Sequence, residues 1–200
     1  MGFRIFLDEC GLPWSDYGNY KGMDIGAQNS ILYVSEWGLL LWSKWISKSD
    51  NILLSSRWWK KIEDPIHQPR CREEALEQIA YCAKWLLKRI EHKGDFSVWT
   101  HPYQMSFGMK PGWRSAHSQG VALQLISRAS EVRSDVSLQP VLEPLLRAFE
   151  VPVDDGGLRD TGDGDDWWYT KFAQNDVRTP RVLNGMLFSL LALLDVANRH

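Results

Sequence analysis

Two short stretches of this sequence concentrate side chains that can hold or move a proton. In the first, His101 and His117 flank Trp113, Arg114 and Ser115, and Gln119 follows two residues on. A histidine titrates near neutral pH, so either can serve as a general base. Arg114 offers a planar fork that fits a carboxylate, and Ser115 and Gln119 offer hydrogen bonds. In the second stretch, Trp167, Trp168 and Tyr169 are followed two residues later by Lys171. A phenol ionises at about pH 10 and acts as a base only when something lowers that value. A neighbouring cation such as Lys171 would do so. Aromatic rings in a cleft suit a sugar, which has an apolar face and a polar rim. Asn184 adds an amide at the start of a late helix. Each residue also has a plainer role: Ser115 as a helix cap, Trp113 as a core plug, Lys171 as a solvated charge, Asn184 as a brace for the preceding segment.

Other chemistries find little support. Cys10, Cys71 and Cys82 are odd in number and not closely spaced, so neither a disulfide framework nor a thiol-ligated metal is expected. The aspartates between Asp154 and Asp166 lack the order of a calcium loop and read as a solvated turn. No metal and no cofactor are expected. A net charge of −2 argues against a dedicated nucleic-acid binder. The apolar stretches are too short for a membrane span. The N-terminus has no basic region followed by a long apolar run, so no secretory signal is read and a cytoplasmic chain is the expectation.

The hydrophobic pattern predicts about five helices. Residues 31–46 are apolar on nearly all sides and should be buried. Residues 73–90 carry one apolar stripe, Ala75, Ile79, Cys82, Leu86 and Ile90, with acids early and bases late. Gly94 should end that element. Residues 115–133 and 137–149 give two more helices, the latter strained by Pro144. Thr179-Pro180 reads as the N-cap and first turn of a last helix. Residues 8–28 show no helical period and read as irregular. Residues 157–169 read as a hairpin around a Gly/Asp cluster. The expected fold is all-α, an array of helical hairpins with one small β-hairpin, in a single domain of residues 1–200. Trp is unusually abundant, 11 of 200 residues. Trp37, Trp42, Trp45 and Trp85 fall on predicted helices and should be core; Trp113, Trp167 and Trp168 fall in loops that could face a ligand.

Several stretches, in order, resemble the D-glucuronyl C5-epimerase family in its C-terminal helical domain. Gly112-Trp113-Arg114-Ser115-Ala116-His117-Ser118-Gln119-Gly120 is similar to its Gly-Trp-x-Ser-Ala-x-x-Gln-Gly motif. Gly157 through Trp168-Tyr169 resembles its Gly-Gly hairpin ending in Trp-Tyr. Val182-Leu183-Asn184-Gly185, with Ser189-Leu190 following, resembles the start of its last helix. Asp16-Tyr17-Gly18, Ile25-Gly26 and Ala83-Lys84-Trp85-Leu86 agree further upstream.

The resemblance implies a partial (α/α) toroid forming one wall of a cleft for an acidic polysaccharide. It implies inversion at C5 of a glucuronate unit to iduronate, by proton removal from one face and return from the other, without a cofactor. Tyrosines and a glutamate are the family's proposed acid/base groups. By this reading Tyr169 and Lys171 are the catalytic candidates, with Lys171 holding the uronate carboxylate. Trp113, Arg114, Ser115, Gln119, Trp168 and Asn184 are the sugar-binding candidates, and His101 and His117 the alternative acid/base pair. The chain also departs from the family. Lys171 stands at the position of the family glutamate and Phe172 at that of the following tyrosine. Two tyrosines of the animal enzymes lie beyond the segment corresponding to Leu193-Leu194-Asp195-Val196, past the end of this sequence. The expectation is therefore an epimerase-like protein with an impaired catalytic set. The alternative is a non-catalytic sugar-binding or accessory domain working with a partner chain; a lyase sharing the C5 proton abstraction is a third reading. Exposed apolar edges of so few helices predict a homodimer or docking on another subunit.

Overall fold

The computed structural model describes residues 3–46, 68–161 and 167–200. The chain opens with β1 (Arg4–Leu7), where Ile5 and Leu7 point inward and Arg4 and Phe6 outward, the alternation of a one-sided strand. It pairs antiparallel with β2 (Pro13–Asp16). A small hairpin of β3 (Asn19–Tyr20) and β4 (Met23–Asp24) follows. The chain then returns as β5 (Ala27–Gln28), completing a three-stranded sheet in the order β1-β2-β5.

The helical core comes next. Helix α1 (Ile31–Ile46) packs against α2 (Arg72–Leu87), and both lie against α3 (Ala116–Val132). Its apolar circumference is used as predicted: Val34, Trp37 and Leu41 have no exposed surface. Each such side chain contributes roughly 2–3 kcal/mol on leaving water. Gly38 of α1 makes the close approach possible, since a Cβ there would lie 2.4 Å from Leu125 of α3. Between α2 and α3 the chain forms the hairpin of β6 (Glu91–Lys93) and β7 (Phe96–Val98), then β8 (Thr100–His101), which pairs with β9 (Trp113–Arg114). Helix α4 (Gln139–Arg147) covers β7. A last small ladder joins β10 (Arg159–Asp160) to β11 (Trp168–Tyr169), and α5 (Leu183–Ala197) closes the chain against α3.

The all-α expectation is thus wrong. Among the described residues, five helices are accompanied by eleven strands in five small sheets. The strands are two to four residues long, too short to show a period of two in sequence. They arise because loops crossing a compact core must still pair their backbone N–H and C=O groups, and the nearest partner is another loop. Residues 8–28, read as irregular, supply four of them. Gly94 does not cap α2; it takes the left-handed turn (φ 76°) between β6 and β7. Thr179 does not cap α5, which starts at Leu183; its hydroxyl instead donates to the Phe172 carbonyl at 2.6 Å.

The hairpin after Gly157 is present as β10–β11, although Asp163, Asp165 and Asp166 at its tip lie outside the described residues. So do Ser47–Asn51, read as closing α1, and Trp58 and Trp59. Trp37, Trp42 and Trp85 are buried and Trp45 half-buried, as their helical positions predict. Trp99 joins them, its indole N–H donating to the Leu86 carbonyl at 2.8 Å.

Candidate functional site

The ladder between β8 and β9 sets His101 opposite Trp113, and their rings stack at 3.8 Å. The Trp113 indole donates to the Tyr103 carbonyl at 2.8 Å. The Tyr103 hydroxyl lies 3.3 Å from His101 Nδ1 and 3.3 Å from the hydroxyl of Tyr17. These four side chains form the floor of a cleft of about 690 Å³. Its volume exceeds that of the hollows beside Arg147 (about 310 Å³) and Trp85 (about 280 Å³). Tyr20, Tyr33, Ser115, His117 and Lys171 also line it. Four of the six tyrosines therefore meet here.

One wall is held by backbone pairing. Arg114 N–H donates to the Ala173 carbonyl, Ala173 N–H returns a bond to Arg114, and Ala116 N–H donates to the Thr170 carbonyl, all at 2.8–3.0 Å. These bonds lay residues 170–173 along the start of α3, so Lys171 opens into the cleft near His117. Gly185 of α5 completes the seat: a Cβ there would meet the Lys171 Cβ at 2.6 Å. The Asn-Gly pair at the start of α5 thus has a packing reason in its glycine, while Asn184 itself is exposed.

The remaining sequence-predicted residues divide sharply. Arg114 turns away from the cleft; it donates to the carbonyls of Gly157 and Val153 and to Asn175 Oδ1. Gln119 is 1 % exposed. Its amide donates to the Ser97 and Leu145 carbonyls at 3.1 and 2.7 Å and its oxygen accepts from Trp99 N–H. Ser115 caps α3, accepting from Ser118 N–H at 3.2 Å, while also bordering the cleft. Trp168 lies outside the cleft lining, with the Arg181 guanidinium 5.7 Å from its ring. Tyr169 packs edge-on against Phe149, also away from the cleft, and burial raises its pKa rather than Lys171 lowering it. The structure therefore separates Tyr169 from Lys171.

The electrostatics of the cleft are governed by desolvation. Burial pushes the imidazole of His101 down to about 3. Burial and then the charge of Lys171 push His117 down to about 4. Both histidines are neutral at pH 7. His117 Nδ1 and His101 Nε2 are buried without a hydrogen-bond partner. Burial raises the phenols of Tyr17, Tyr33 and Tyr103, which stay protonated and can act as donors.

One titratable group escaped the sequence reading. Glu36 is half-buried on α1, one turn beyond Leu32 and Tyr33, both of which line the cleft. Burial raises its carboxyl to about 7, against the opposing pull of Lys171. A signal was available: Glu36 is the single acid in a helix otherwise apolar on nearly all sides.

Among the described residues no group of three or more His, Cys, Asp or Glu side chains is placed to hold a metal, and no helix is long and apolar enough to cross a membrane. What the fold and cleft define is an α+β domain with a tyrosine-lined cleft carrying two lysines, Lys21 and Lys171, and two neutral imidazoles. Residues 92–200 match the family described as D-glucuronyl C5-epimerase C-terminus. The chain belongs to that family. The D-glucuronyl C5-epimerase of Caenorhabditis elegans is 31% identical over 133 residues, covering 63% of this chain and 20% of that protein. An uncharacterized protein of Methanocaldococcus jannaschii is 23% identical over 205 residues, covering 96% of this chain and 61% of that protein. The matched stretch thus spans less than two thirds of either relative.

Proposed function

We propose that the chain is an epimerase-like domain acting on uronic-acid units of an acidic polysaccharide. The observation that carries this reading is Lys171. It lines the cleft and makes no hydrogen bond or ion pair among the described residues. An ammonium over the Phe172 ring at 5.7 Å, with no carboxylate of its own in a half-buried site, is well suited to a sugar carboxylate. Deprotonation at C5 moves charge onto that carboxylate, and a fixed cation stabilises it as it develops. The surrounding phenols and rings offer donors and apolar faces for a pyranose. Membership of the epimerase family supports the reaction class.

The test is incubation with a heparosan-type polymer in D2O. Deuterium at C5 together with iduronate is the expected result. Deuterium with a 4,5-unsaturated product would make the protein a lyase. Saturable binding without exchange would leave the second reading, a non-catalytic sugar-binding domain. That reading draws on Lys171 and Phe172 standing where the family has a glutamate and a tyrosine.

Association is part of the proposal. Leu183, Leu187, Leu190, Leu191 and Leu194 of α5 are 43–62 % exposed, an apolar stripe along one face of the helix of the kind that marks a contact surface. A homodimer, or docking on a partner chain, would cover it. Light scattering at micromolar concentration should give at least a dimer; a monomer would remove self-association.

A further inference from the structure

We propose that the cleft has a second sugar subsite at its exposed rim, where Lys21, Ser106 and Phe107 take the acidic unit next along the chain from the one at Lys171. It rests on the reading of Lys171 as the seat of a uronate carboxylate, and it adds the residues that recognise the neighbouring sugar.

Two loops build this rim, and each does so from a backbone conformation that costs free energy. Strands β3 and β4 are joined by Lys21-Gly22, whose φ angles are 52° and 82°. Asn19 Oδ1 braces the turn by accepting from Gly22 N–H at 3.1 Å. A two-residue turn with both φ angles positive favours Asn-Gly, so a lysine in the first place is strained. In the second loop, Met105 N–H donates to the Met109 carbonyl at 3.1 Å, and between them stand Phe107 and Gly108 with φ 69° and 77°. Phenylalanine is again a bulky residue in the left-handed region. Both strained side chains line the cleft, and they meet there: the Lys21 ammonium lies 6.0 Å from the centre of the Phe107 ring. Strain of this kind persists where a particular side chain is required in place, and ligand clamps are such places.

The chemistry of the rim is that of an acidic pyranose. The Lys21 ammonium makes no hydrogen bond or ion pair among the described residues, and lies instead over the rings of Tyr20 and Phe107. Phe107 is 47 % exposed, so its ring is open to a ligand. Ser106 is 8 % exposed and its hydroxyl has no hydrogen-bond partner. A buried hydroxyl left unpaired costs free energy until a ligand group meets it. A cation, an aromatic face and a waiting hydroxyl match the carboxylate, the apolar ring face and the hydroxyls of one sugar unit.

The two subsites are joined by phenyl rings. The Lys171 ammonium stands 5.7 Å from the Phe172 ring, and that ring is 5.6 Å from Phe107. Two rings thus hold the two cations apart along the cleft. A ligand that answers both carries two separated negative charges with an uncharged stretch between them. One carboxylate sits at Lys171, the intervening sugar lies against Phe172 and Phe107, and the next carboxylate reaches Lys21. A single uronate satisfies Lys171 alone. The rim therefore selects a chain of sugars over one unit.

The test measures the affinity of the full chain for a heparosan-type tetrasaccharide and for methyl glucuronide, and repeats both with Lys21→Asn and Phe107→Asn. Asparagine enters the left-handed region more readily than lysine or phenylalanine, so both variants should melt no lower than the unaltered chain. The unaltered chain should prefer the tetrasaccharide, and Lys21→Asn should shrink that preference about tenfold, the worth of a hydrogen bond to a charged group. Phe107→Asn should shrink it as well. A preference kept in full by both variants would overturn the second subsite, as would an equal loss of affinity for the two ligands. Equal affinities of the unaltered chain for tetrasaccharide and methyl glucuronide would overturn it too, and would leave the carboxylate seat at Lys171 standing. Failure of the unaltered chain to bind either ligand would overturn the uronate reading and the subsite together.

Discussion

Two groups of polar side chains lie around the start of α3, and they are built in opposite ways. Arg114 and Gln119 spend their hydrogen-bonding capacity on the protein. Arg114 ties β9 to the loop carrying Val153 and Gly157, and Gln119 ties α3 to β7 and α4. His101 and His117 each leave a ring nitrogen unpaired at the cleft, and Lys171 lines it without a hydrogen bond or ion pair among the described residues. Buried polar groups are normally satisfied because an unmade bond costs free energy. The satisfied set is therefore the scaffold. The unsatisfied set is where a ligand's groups would complete the accounting. The motif that marks the family in sequence is mostly scaffold: its Gln119 and Gly120 fix helix packing, and a Cβ on Gly120 would meet Ala192 of α5 at 2.8 Å.

Four measurements would break or sharpen this division. The largest effect is expected for Gln119→Ala, which strands two carbonyls and one N–H in the core. It should lower unfolding stability by about 2–4 kcal/mol in urea titration. If it left stability intact and weakened polymer binding, Gln119 would move to the ligand set.

Next comes Glu36→Gln, which should stabilise the fold at alkaline pH. The native carboxyl holds its proton to about 7, against 4.5 for the ordinary group. Below pH 4.5 both states are protonated and the substitution is neutral. Between pH 4.5 and 7 the unfolded chain ionises while the native carboxyl keeps its proton, so a penalty grows that glutamine removes; it levels off above 7 at about 3 kcal/mol. Equal stabilities at both pH values would show Glu36 to be a solvated charge. His101 and His117 act in the other direction. Held neutral in the fold at about 3 and about 4, they favour unfolding as pH falls below 6.5.

Ser115→Ala should cost about 1 kcal/mol, the usual value of a lost N-cap. A larger change in polymer affinity than in stability would give Ser115 a second role at the cleft. The smallest stability change is expected for Lys171→Gln, within about 0.5 kcal/mol at about pH 5.5, where Glu36 is protonated. The same variant should lose polymer binding. A strong destabilisation would place Lys171 in the scaffold.

The sequence disclosed the helices better than the sheets. Sixteen- and seventeen-residue apolar patterns survive as α1, α2 and α3, because a helix declares its buried face every third or fourth residue. Strands of two residues make no pattern, and the all-α expectation failed on them. Among site residues, Lys171 and His117 were reached in sequence because they lie in or beside family motifs, and both line the cleft. Tyr169 was reached by the same route and points elsewhere, since adjacency in a strand says nothing of what covers each face. Glu36 lay in a helix that appeared purely structural.

By itself, then, the sequence determined the helical periodicity, the tryptophans that would fill the core, and a family resemblance carried by residues that pack. Those are local properties: side-chain size, spacing and cap chemistry act over a few positions. Only the tertiary structure decided which polar groups remain unpaired. Whether a charge is satisfied depends on what distant segments bring to it. The ammonium of Lys171 reaches the cleft only because backbone bonds from Arg114 and Ala116 lay its segment along the start of α3.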